Sequence, residues 1–282
     1  MEQKLEVTYY LHSGFSCAMG DVLCIFDYWL GEYQELPERV RITPSALGRY
    51  REIYVFVTHS HPDHFDRVIY DWYGDVPVTY IVSYELPVGA RGRRMSPGDS
   101  FTLSEHVSVK AFPSTDLGVS FLVTIDGIPV FHAGDLNFWH WREESTIQEI
   151  EEAEQEFYEA VKPIAKEPIQ VAFFPVDPRQ GRLYEAGANY FIMTCRPKLL
   201  IPMHFWQRTE SAVEFARRCR TNQTEIVAMT RPGSRLLLTF TDGQLRFVDI
   251  DNTAAVGNSV NLDGYEGEDP FRDTDMPVKM DE

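Results

Sequence analysis

Three histidines and one aspartate lie within six positions of this 282-residue chain, in the segment T-H-S-H-P-D-H at 58–64. Imidazole and carboxylate groups are the side chains that bind zinc, iron and manganese in proteins. The alternative interpretation is a polar surface loop that happens to be rich in histidine. The whole chain has only 8 histidines, so three of them in one short segment favour a metal site.

The spacing of these residues indicates how one short segment can serve two metal ions. The preceding run over 53–58 is apolar and rich in β-branched and aromatic residues, which predicts a buried strand. Residues two apart on extended backbone point to the same face, so His59 and His61 can reach one ion. A proline then ends the strand pairing, and Asp63 and His64 follow on a turn toward a second point nearby.

The composition describes a globular protein with room for a large core. Hydrophobic residues make up 44% of the chain, and no stretch approaches the roughly 20 apolar residues that a membrane-spanning helix needs. The sequence starts without the pattern of a signal peptide, and its four cysteines are widely spread. We therefore expect a cytoplasmic protein with reduced cysteines and no membrane association.

The charge of the chain is strongly negative. The formal net charge is −17, which repels nucleic acid at long range. Part of this charge lies in 251–282, where 9 acidic residues accompany 2 basic ones. We predict one domain over 1–250, followed by an acidic C-terminal extension over 251–282.

Short apolar runs predict the elements that must position the cluster. In the first half they indicate strands over 5–11, 22–27, 53–58, 78–82, 107–112, 119–125 and 128–132. Further along, helices over 145–165, 184–195 and 210–220 alternate with strands over 169–174, 198–203, 225–229, 235–240 and 244–249. Ser145 with Gln148 fits a capping box, and Thr209 fits an N-cap. Many strands with interspersed helices predict two sheets packed face to face, with helices outside.

Two further strand ends carry metal-ligating side chains. The motif A-G-D at 133–135 ends with a carboxylate, and P-M-H at 202–204 ends with an imidazole. Together with the cluster at 58–64, these motifs resemble the metallo-β-lactamase superfamily of metal-dependent hydrolases. The segments L-H-S-G-F at 11–15 and I-F-D at 25–27 look like the opening strand pair of that fold, closest to the branch that contains ascorbate-phosphate lactonases. The resemblance implies an α+β protein folded as a four-layer αβ/βα sandwich.

The resemblance also implies a metal centre. One or two divalent ions are expected, with zinc ahead of manganese and iron, and a metal-bound hydroxide would be the nucleophile. Asp63 is expected to bind metal and, as the catalytic residue, to orient the attacking water. The implied ligands are His59 and His61 for the first ion, Asp63, His64 and His204 for the second, and Asp135 for both.

The chain departs from the family at the third histidine of the first metal. Alignment on the G-V-S-F-L-V that follows places Ser114 at that position, and serine is a poor zinc ligand. Asp116 and His12 are the two candidates for a replacement. Each also has an ordinary interpretation, Asp116 as a turn-capping carboxylate and His12 as a core histidine.

Aromatic and polar residues next to the implied ligands are candidates for a substrate pocket. Arg179 can clamp a carboxylate or a phosphate, or it can form a structural ion pair. Trp139 and Trp141 can line the pocket, although we expect at least one of them to pack on the following helix. His132 is expected to face away from Asp135. The other candidates are Asn137, His140, Phe205, Trp206 and Gln207.

These residues and the resemblance together predict a metal-dependent hydrolase of a small-molecule ester, lactone or phosphodiester. A nuclease of the same fold is one alternative, but no run of basic residues accompanies the ligand motifs. A metal-poor relative that acts as a binding or sensor protein is the other, because one ligand is missing. We expect a small molecule as the partner and neither nucleic acid nor a membrane, and a homo-oligomer stays open.

Overall fold

The computed structural model of the protein describes residues 2–32, 35–251 and 254–256. Its α-helices are α1 (Pro44–Leu47), α2 (Ile147–Ile164), α3 (Ala186–Cys195) and α4 (Thr209–Arg218), and 3-10 helices lie at Glu38–Val40, Arg67–Trp72 and Pro178–Leu183. The strands are β1 (Gln3–Tyr9), β2 (Phe15–Met19), β3 (Val22–Phe26), β4 (Glu52–Val57), β5 (Val78–Ser83), β6 (Arg93–Met95), β7 (Ser100–Thr102), β8 (Val107–Pro113), β9 (Val119–Ile125), β10 (Ile128–His132), β11 (Val171–Pro175), β12 (Leu199–Met203), β13 (Glu225–Met229), β14 (Arg235–Thr241), β15 (Gln244–Asp249) and β16 (Ala254–Val256).

The strands form two mixed sheets of 8 strands each. The first sheet has the order β15-β14-β1-β2-β3-β4-β5-β6, and the second has the order β16-β13-β12-β11-β10-β9-β8-β7. Strands β3 to β6 run parallel in the first sheet, as do β10 to β13 in the second. Parallel neighbours end at the same edge of a sheet, which is where side chains from separate parts of a chain can meet.

Apolar side chains from the two sheets meet in the middle of the molecule. Phe15 of β2 stacks on Phe173 of β11 with ring centroids 4.2 Å apart, and Phe56 of β4 lies 5.6 Å from Phe121 of β9. All four side chains are fully buried. Burial of a phenylalanine contributes roughly 1.5–3 kcal/mol, so this shared core holds the sheets together face to face.

Helices and short helical turns cover the outer faces of the sheets. On the second sheet, Phe191 of α3 packs on Phe131 and Phe174, with ring centroids 5.2 and 4.6 Å away. On the first sheet, Leu47 and Trp72 from short helical turns join the buried residues of the outer face. The protein is therefore an α+β, four-layer αβ/βα sandwich, and the prediction is confirmed with one outer layer made of short helices.

The predicted elements differ from the structure in several respects. Strand β2 is missing from the predicted strands, and so are β6, β7 and β16, each of which has only 3 residues and therefore shows no periodic pattern. The capping box of α2 is formed by Thr146 and Glu149 rather than by Ser145 and Gln148. A carboxylate is the stronger acceptor at a helix N-terminus, which favours the pair with glutamate. Thr209, the predicted N-cap of α4, is its first helical residue.

The predicted acidic extension over 251–282 lies mostly outside the described residues. Within them, β16 pairs antiparallel with β13 and adds an edge strand after position 250. The domain boundary at 250 stays a prediction. Among the helices of the described residues, none combines the length and the hydropathy that crossing a bilayer requires.

Candidate metal centre

The candidate ligands lie where strands of the two sheets end. The segment 58–64 directly follows β4 of the first sheet and closes into a turn, in which the His64 N–H donates to the His61 carbonyl at 3.0 Å. Asp135 follows β10 and His204 follows β12, both in the second sheet. The carboxyl ends of parallel strands thus bring ligands from both sheets to one edge of the sandwich.

Two imidazoles and one carboxylate form the first group of candidate ligands. His59 Nε2 lies 3.1 Å from His61 Nδ1 and 3.4 Å from Asp135 Oδ2. His61 Nδ1 lies 4.0 Å from the same oxygen. Donor atoms that surround one ion at about 2.0–2.2 Å are about 3–4 Å apart, so this spacing fits a single metal ion.

Asp63, His64 and His204 form the second group, on the other side of Asp135. His64 Nε2 and His204 Nε2 lie 3.0 and 3.3 Å from Asp135 Oδ1. Asp63 Oδ2 is 4.0 Å from His204 Nε2. One donor atom each from Asp63, His64 and His204, and one from His12, lie within 4.8 Å of one another. The two carboxylate oxygens of Asp135 therefore face different groups.

Three donor atoms between these residues are buried without a hydrogen-bond partner in the described part of the chain. They are His64 Nε2, His204 Nε2 and Asp135 Oδ1. An unpaired buried polar atom costs about 1–3 kcal/mol. A metal ion between them would satisfy all three atoms, so these residues fit the divalent cation that their chemistry implies.

Two buried carboxylates accept hydrogen bonds from candidate ligand histidines and so fix the orientation of their rings. Asp27, directly after β3, accepts a hydrogen bond from His64 Nδ1 at 2.8 Å. Asp177, two residues after β11, accepts one from His204 Nδ1 at 2.9 Å. A proton held on Nδ1 leaves Nε2 as the free ligand atom of each ring. The sequence motifs assign a role to neither carboxylate, although both follow an apolar strand in the same way as Asp135.

Arg179 is the partner of Asp177. Its Nε donates to the two oxygens of Asp177 at 3.0 and 2.9 Å, so the structural ion pair is present. The guanidinium also lies over the ring of Trp206, 4.6 Å from its centroid. These contacts connect the wall of the site to His204 through Asp177.

The carboxylates of the site are held in the ionised form. Burial alone would raise the pKa of Asp63 and of Asp135, but neighbouring histidines outweigh burial and lower both pKa values. Against the same effect of burial, His204 and Arg179 lower the pKa of Asp177 to about 2. Burial would lower the pKa of His204, yet Asp135 and Asp177 raise it to about 9. This concentration of negative charge attracts a cation.

The backbone is strained where it presents several of these side chains. The angle φ is 56° at His12, 40° at Asp27 and 63° at His204. Left-handed backbone costs a non-glycine residue roughly 1–2 kcal/mol, and such strain persists only where the surroundings enforce it. Gly134, before Asp135, has a φ of 55°, and a Cβ there would lie 2.8 Å from the Thr58 side chain. Only glycine allows this close approach of the two ligand-bearing segments.

The residues considered in connection with the absent third histidine of the first metal lie in different places. Asp116 lies beside the first group, with Oδ2 3.8 Å from His61 Nδ1. Ser114 is 3.5 Å from the backbone N–H of Asp116 through its hydroxyl, which supports the turn. His12 lies beside the second group, 3.2 Å from Asp63 Oδ2. It is not placed to replace the absent histidine of the first group, because its turn is bonded to the backbone of His204.

A cavity of about 560 Å³ opens beside both groups. Its wall includes Trp139, Trp141 and Trp206, and Glu156 of α2. Trp139 and Trp141 stack with ring centroids 5.7 Å apart, and the Trp139 indole N–H donates to the Asp135 carbonyl at 2.8 Å. The volume falls in the range of about 300–1,000 Å³ that is typical of small-molecule sites. The cavity therefore suits a small ligand that contacts aromatic surface.

His132 faces away from Asp135, as predicted. Its Nε2 donates to the Ser13 carbonyl at 2.8 Å, and its Nδ1 accepts from the Gly134 N–H at 3.2 Å. The other candidates do not line the cavity: Asn137, His140 and Phe205 are buried elsewhere, and Gln207 is exposed.

Asp177→Asn is expected to weaken metal binding by about 10–100-fold, as loss of a partner behind a ligand histidine usually does. The amide carries no charge, so it holds the His204 ring and Arg179 less firmly. Competition with a chromogenic chelator measures the affinity. Glu185→Gln is the matched control, because Glu185 forms a similar two-oxygen pair with Arg218 at 3.1 Å, outside both ligand groups. Equal affinities for Asp177→Asn and the unmodified protein would contradict the assignment.

Comparison with known proteins supplies the last observation. No family model matches the sequence, and no curated protein matches it significantly. Igni18, a metallo hydrolase from Ignicoccus hospitalis, is 20% identical, with a TM-score of 0.59 over 84% of this chain and 99% of its own. A protein from Parabacteroides distasonis assigned as a metal-dependent hydrolase is 18% identical, with a TM-score of 0.53 over 79% of this chain and 93% of its own.

A third similar structure has a different chemistry. CmlA, a diiron β-hydroxylase from Streptomyces venezuelae, is matched through a variant at 12% identity, with a TM-score of 0.55 over 84% of this chain and 53% of its own. At such identities the likeness concerns the fold. The two mixed sheets, the candidate ligands at their strand ends and these similar structures show that this chain has the metallo-β-lactamase fold.

Proposed function

We propose that this protein is a metal-dependent hydrolase that cleaves an ester, lactone or phosphodiester bond in a small molecule. The observation that carries the proposal is the position of Asp135. One of its oxygens faces His59 at 3.4 Å and the other faces His64 at 3.0 Å, beside a cavity. The likeness in fold to Igni18, a metallo hydrolase, supports the same reaction class.

The distances suggest a set of ligands for each ion. Asp116 is a further carboxylate beside the first group, and we assign it as the substitute for the absent histidine. Zinc is the metal we propose first, because mixed imidazole and carboxylate ligands suit it, with manganese and iron as the other candidates. The proposed ligands are His59, His61, Asp116 and Asp135 for the first ion, and Asp63, His64, His204 and Asp135 for the second.

The reaction uses both the metal and the residues of the cavity. When bound, a divalent ion is a Lewis acid that lowers the pKa of a coordinated water toward about 7 and polarises the bond to be cleaved. Asp63 lines the cavity with a side chain that is 18% exposed, so its carboxylate can orient the attacking water. Trp139 and Trp141 exclude solvent from one side of the reacting bond.

The cavity also favours a small substrate over a nucleic acid. Asp116 and Glu156 place negative charge on its wall, and the chain as a whole has a net charge of −17. A polyanion would be repelled by both. Arg179 does not offset this effect, because Asp177 already pairs with it. We therefore set the nuclease alternative aside and propose a small-molecule substrate. The free cysteines support a cytoplasmic location for this enzyme.

The first test combines metal content with activity. After removal of metal and reloading with zinc, manganese or iron, the protein is expected to hold one or two ions per chain. It should then hydrolyse at least one of three chromogenic probes: an ester, a lactone and a phosphodiester. His64→Ala is expected to lose one ion and to lower the rate of hydrolysis by more than about 100-fold. Loss of a residue that only hydrogen-bonds a metal ligand already lowers affinity or activity by about 10–100-fold.

A surface histidine provides the matched control for this test. His106 pairs with Asp126 at 2.7 Å, and its side chain is 41% exposed. His106→Ala should leave metal content and hydrolysis unchanged. Metal content well below one ion per chain in the unmodified protein would contradict the proposal and favour a metal-poor binding or sensor protein.

Iron-dependent oxidation is the second candidate function. His59, His61 and Asp135 of the first group form a set of two histidines and one carboxylate, which is also typical of iron(II) oxygenases. The likeness in fold to CmlA, a β-hydroxylase, adds to this candidate. Iron retained through purification, together with oxygen consumption and no hydrolysis of the three probes, would favour it over the hydrolase.

A further inference from the structure

His12 occupies an unusual position in the candidate metal centre. It lies on the turn between β1 and β2, and it is 3% exposed. Its N–H donates to the Tyr9 hydroxyl at 3.1 Å, and its carbonyl accepts from the His204 N–H at 3.4 Å. These bonds hold a backbone with a φ of 56°. The strained turn therefore fixes the imidazole next to His204.

Neither ring nitrogen of His12 has a hydrogen-bond partner in the described residues, although both are buried. A neutral imidazole carries one donor and one acceptor, and each unpaired buried group costs about 1–3 kcal/mol. His132 shows what a satisfied core histidine looks like here, since Ser13 and Gly134 bond its two nitrogens. Packing alone therefore does not account for His12.

The Nε2 atom of His12 faces the second ligand group. His12 Nε2 is 3.2 Å from Asp63 Oδ2, and its ring centroid is 4.0 Å from that of His204. The contact with Asp63 is at ion-pair distance without the geometry of a hydrogen bond, and Asp63 itself belongs to the second ligand group. Atoms of metal ligands approach each other in this way without bonding, since they share an ion instead.

We propose that His12 is a ligand of the second metal ion, an inference that rests on the proposed function. The second site then has three imidazoles, whereas the first has two. The sites also differ in exposure, because the His61 side chain is 41% exposed while His12 and His64 are buried. A buried site with more ligands binds its ion more tightly. The second site therefore fills before the first.

Direct counting of bound imidazoles tests the proposal in the unmodified protein. Cadmium NMR with isotope-labelled histidine nitrogens splits the metal signal once for each coordinated ring. With two equivalents of cadmium per chain, we expect one of the two signals to couple to three imidazoles. Two signals that each couple to only two imidazoles overturn the proposal. This measurement needs no variant, so its outcome does not depend on how a substitution folds.

A pair of variants supplies the second measurement. His12→Phe preserves a ring of similar size and removes both donor atoms. In a zinc titration against a chelator, it should lower the affinity of the tighter-binding site by at least about 100-fold. A residue that only hydrogen-bonds a metal ligand has an effect of about 10–100-fold. The cadmium coupling should fall from three imidazoles to two. Asp116→Asn should affect only the weaker step.

The possible failures are distinguishable. If the unmodified protein binds no metal, the proposed function fails together with this inference. If it binds two ions, and His12→Phe shows the same tight affinity and the same number of coupled imidazoles, only the role of His12 is overturned.

Discussion

Asp135→Asn is expected to remove both metal ions rather than one. Asp135 Oδ2 is 3.4 Å from the first group at His59, and Oδ1 is 3.0 and 3.3 Å from the second at His64 and His204. An amide offers one neutral oxygen in place of two charged ones. The metal affinity of each site should fall by at least about 100-fold, which exceeds the effect of losing a residue that only hydrogen-bonds a metal ligand.

Metal analysis after dialysis measures this effect. Metal content should fall well below one ion per chain, and hydrolysis should disappear with it. Asp126→Asn is the matched control, because Asp126 also pairs with a histidine but lies on a surface hairpin. Loss of only one ion in Asp135→Asn would mean that Asp135 does not serve both sites.

The second large effect concerns stability. Asp27→Ala is expected to reduce the free energy of unfolding by about 3–5 kcal/mol, the usual result of removing one partner from a buried charged pair. The Thr58 N–H and hydroxyl donate to Asp27 at 2.8 and 2.6 Å, and His64 Nδ1 donates at 2.8 Å. All these groups are buried, so the substitution leaves them without a partner.

Urea denaturation of the metal-free protein measures this loss without a contribution from metal binding. Asp21→Ala is the control, because Asp21 pairs with Arg51 at 3.1 Å while its side chain is 60% exposed. Exposed ion pairs contribute about 0–1 kcal/mol. Equal destabilisation by Asp27→Ala and Asp21→Ala would contradict this prediction. It would mean that the hydrogen bonds of Asp27 do not stabilise the contact between the ends of β3 and β4.

The part of the site that the sequence predicts is the part that is local in the chain. The spacing of His59, His61, Asp63 and His64 determines their relative positions, because a strand end and one turn hold all four. The strands are predicted for the same reason, since a short continuous apolar run can be recognised without its distant partner.

The other features depend on contacts between distant segments. Asp27 and Asp177 reach ligand histidines that are 37 and 27 positions away in the chain. No spacing rule connects such pairs before the order of strands in a sheet is known. His12 is similar: its side of the centre is decided by how the β1–β2 turn packs against the segment after β12. The sequence offers His12 as a candidate for the first site, whereas the structure places it beside the second group.

The division of ligands between two sheets has a consequence for how the chain folds. His59 follows a strand of one sheet and His204 follows a strand of the other, and strands β5 to β12 lie between them in the chain. No complete site exists until the sandwich has closed, so metal cannot nucleate folding as it does in a zinc finger. The hydrophobic interior must assemble first. An ion bound afterwards would link the two sheets through these side chains and oppose their separation.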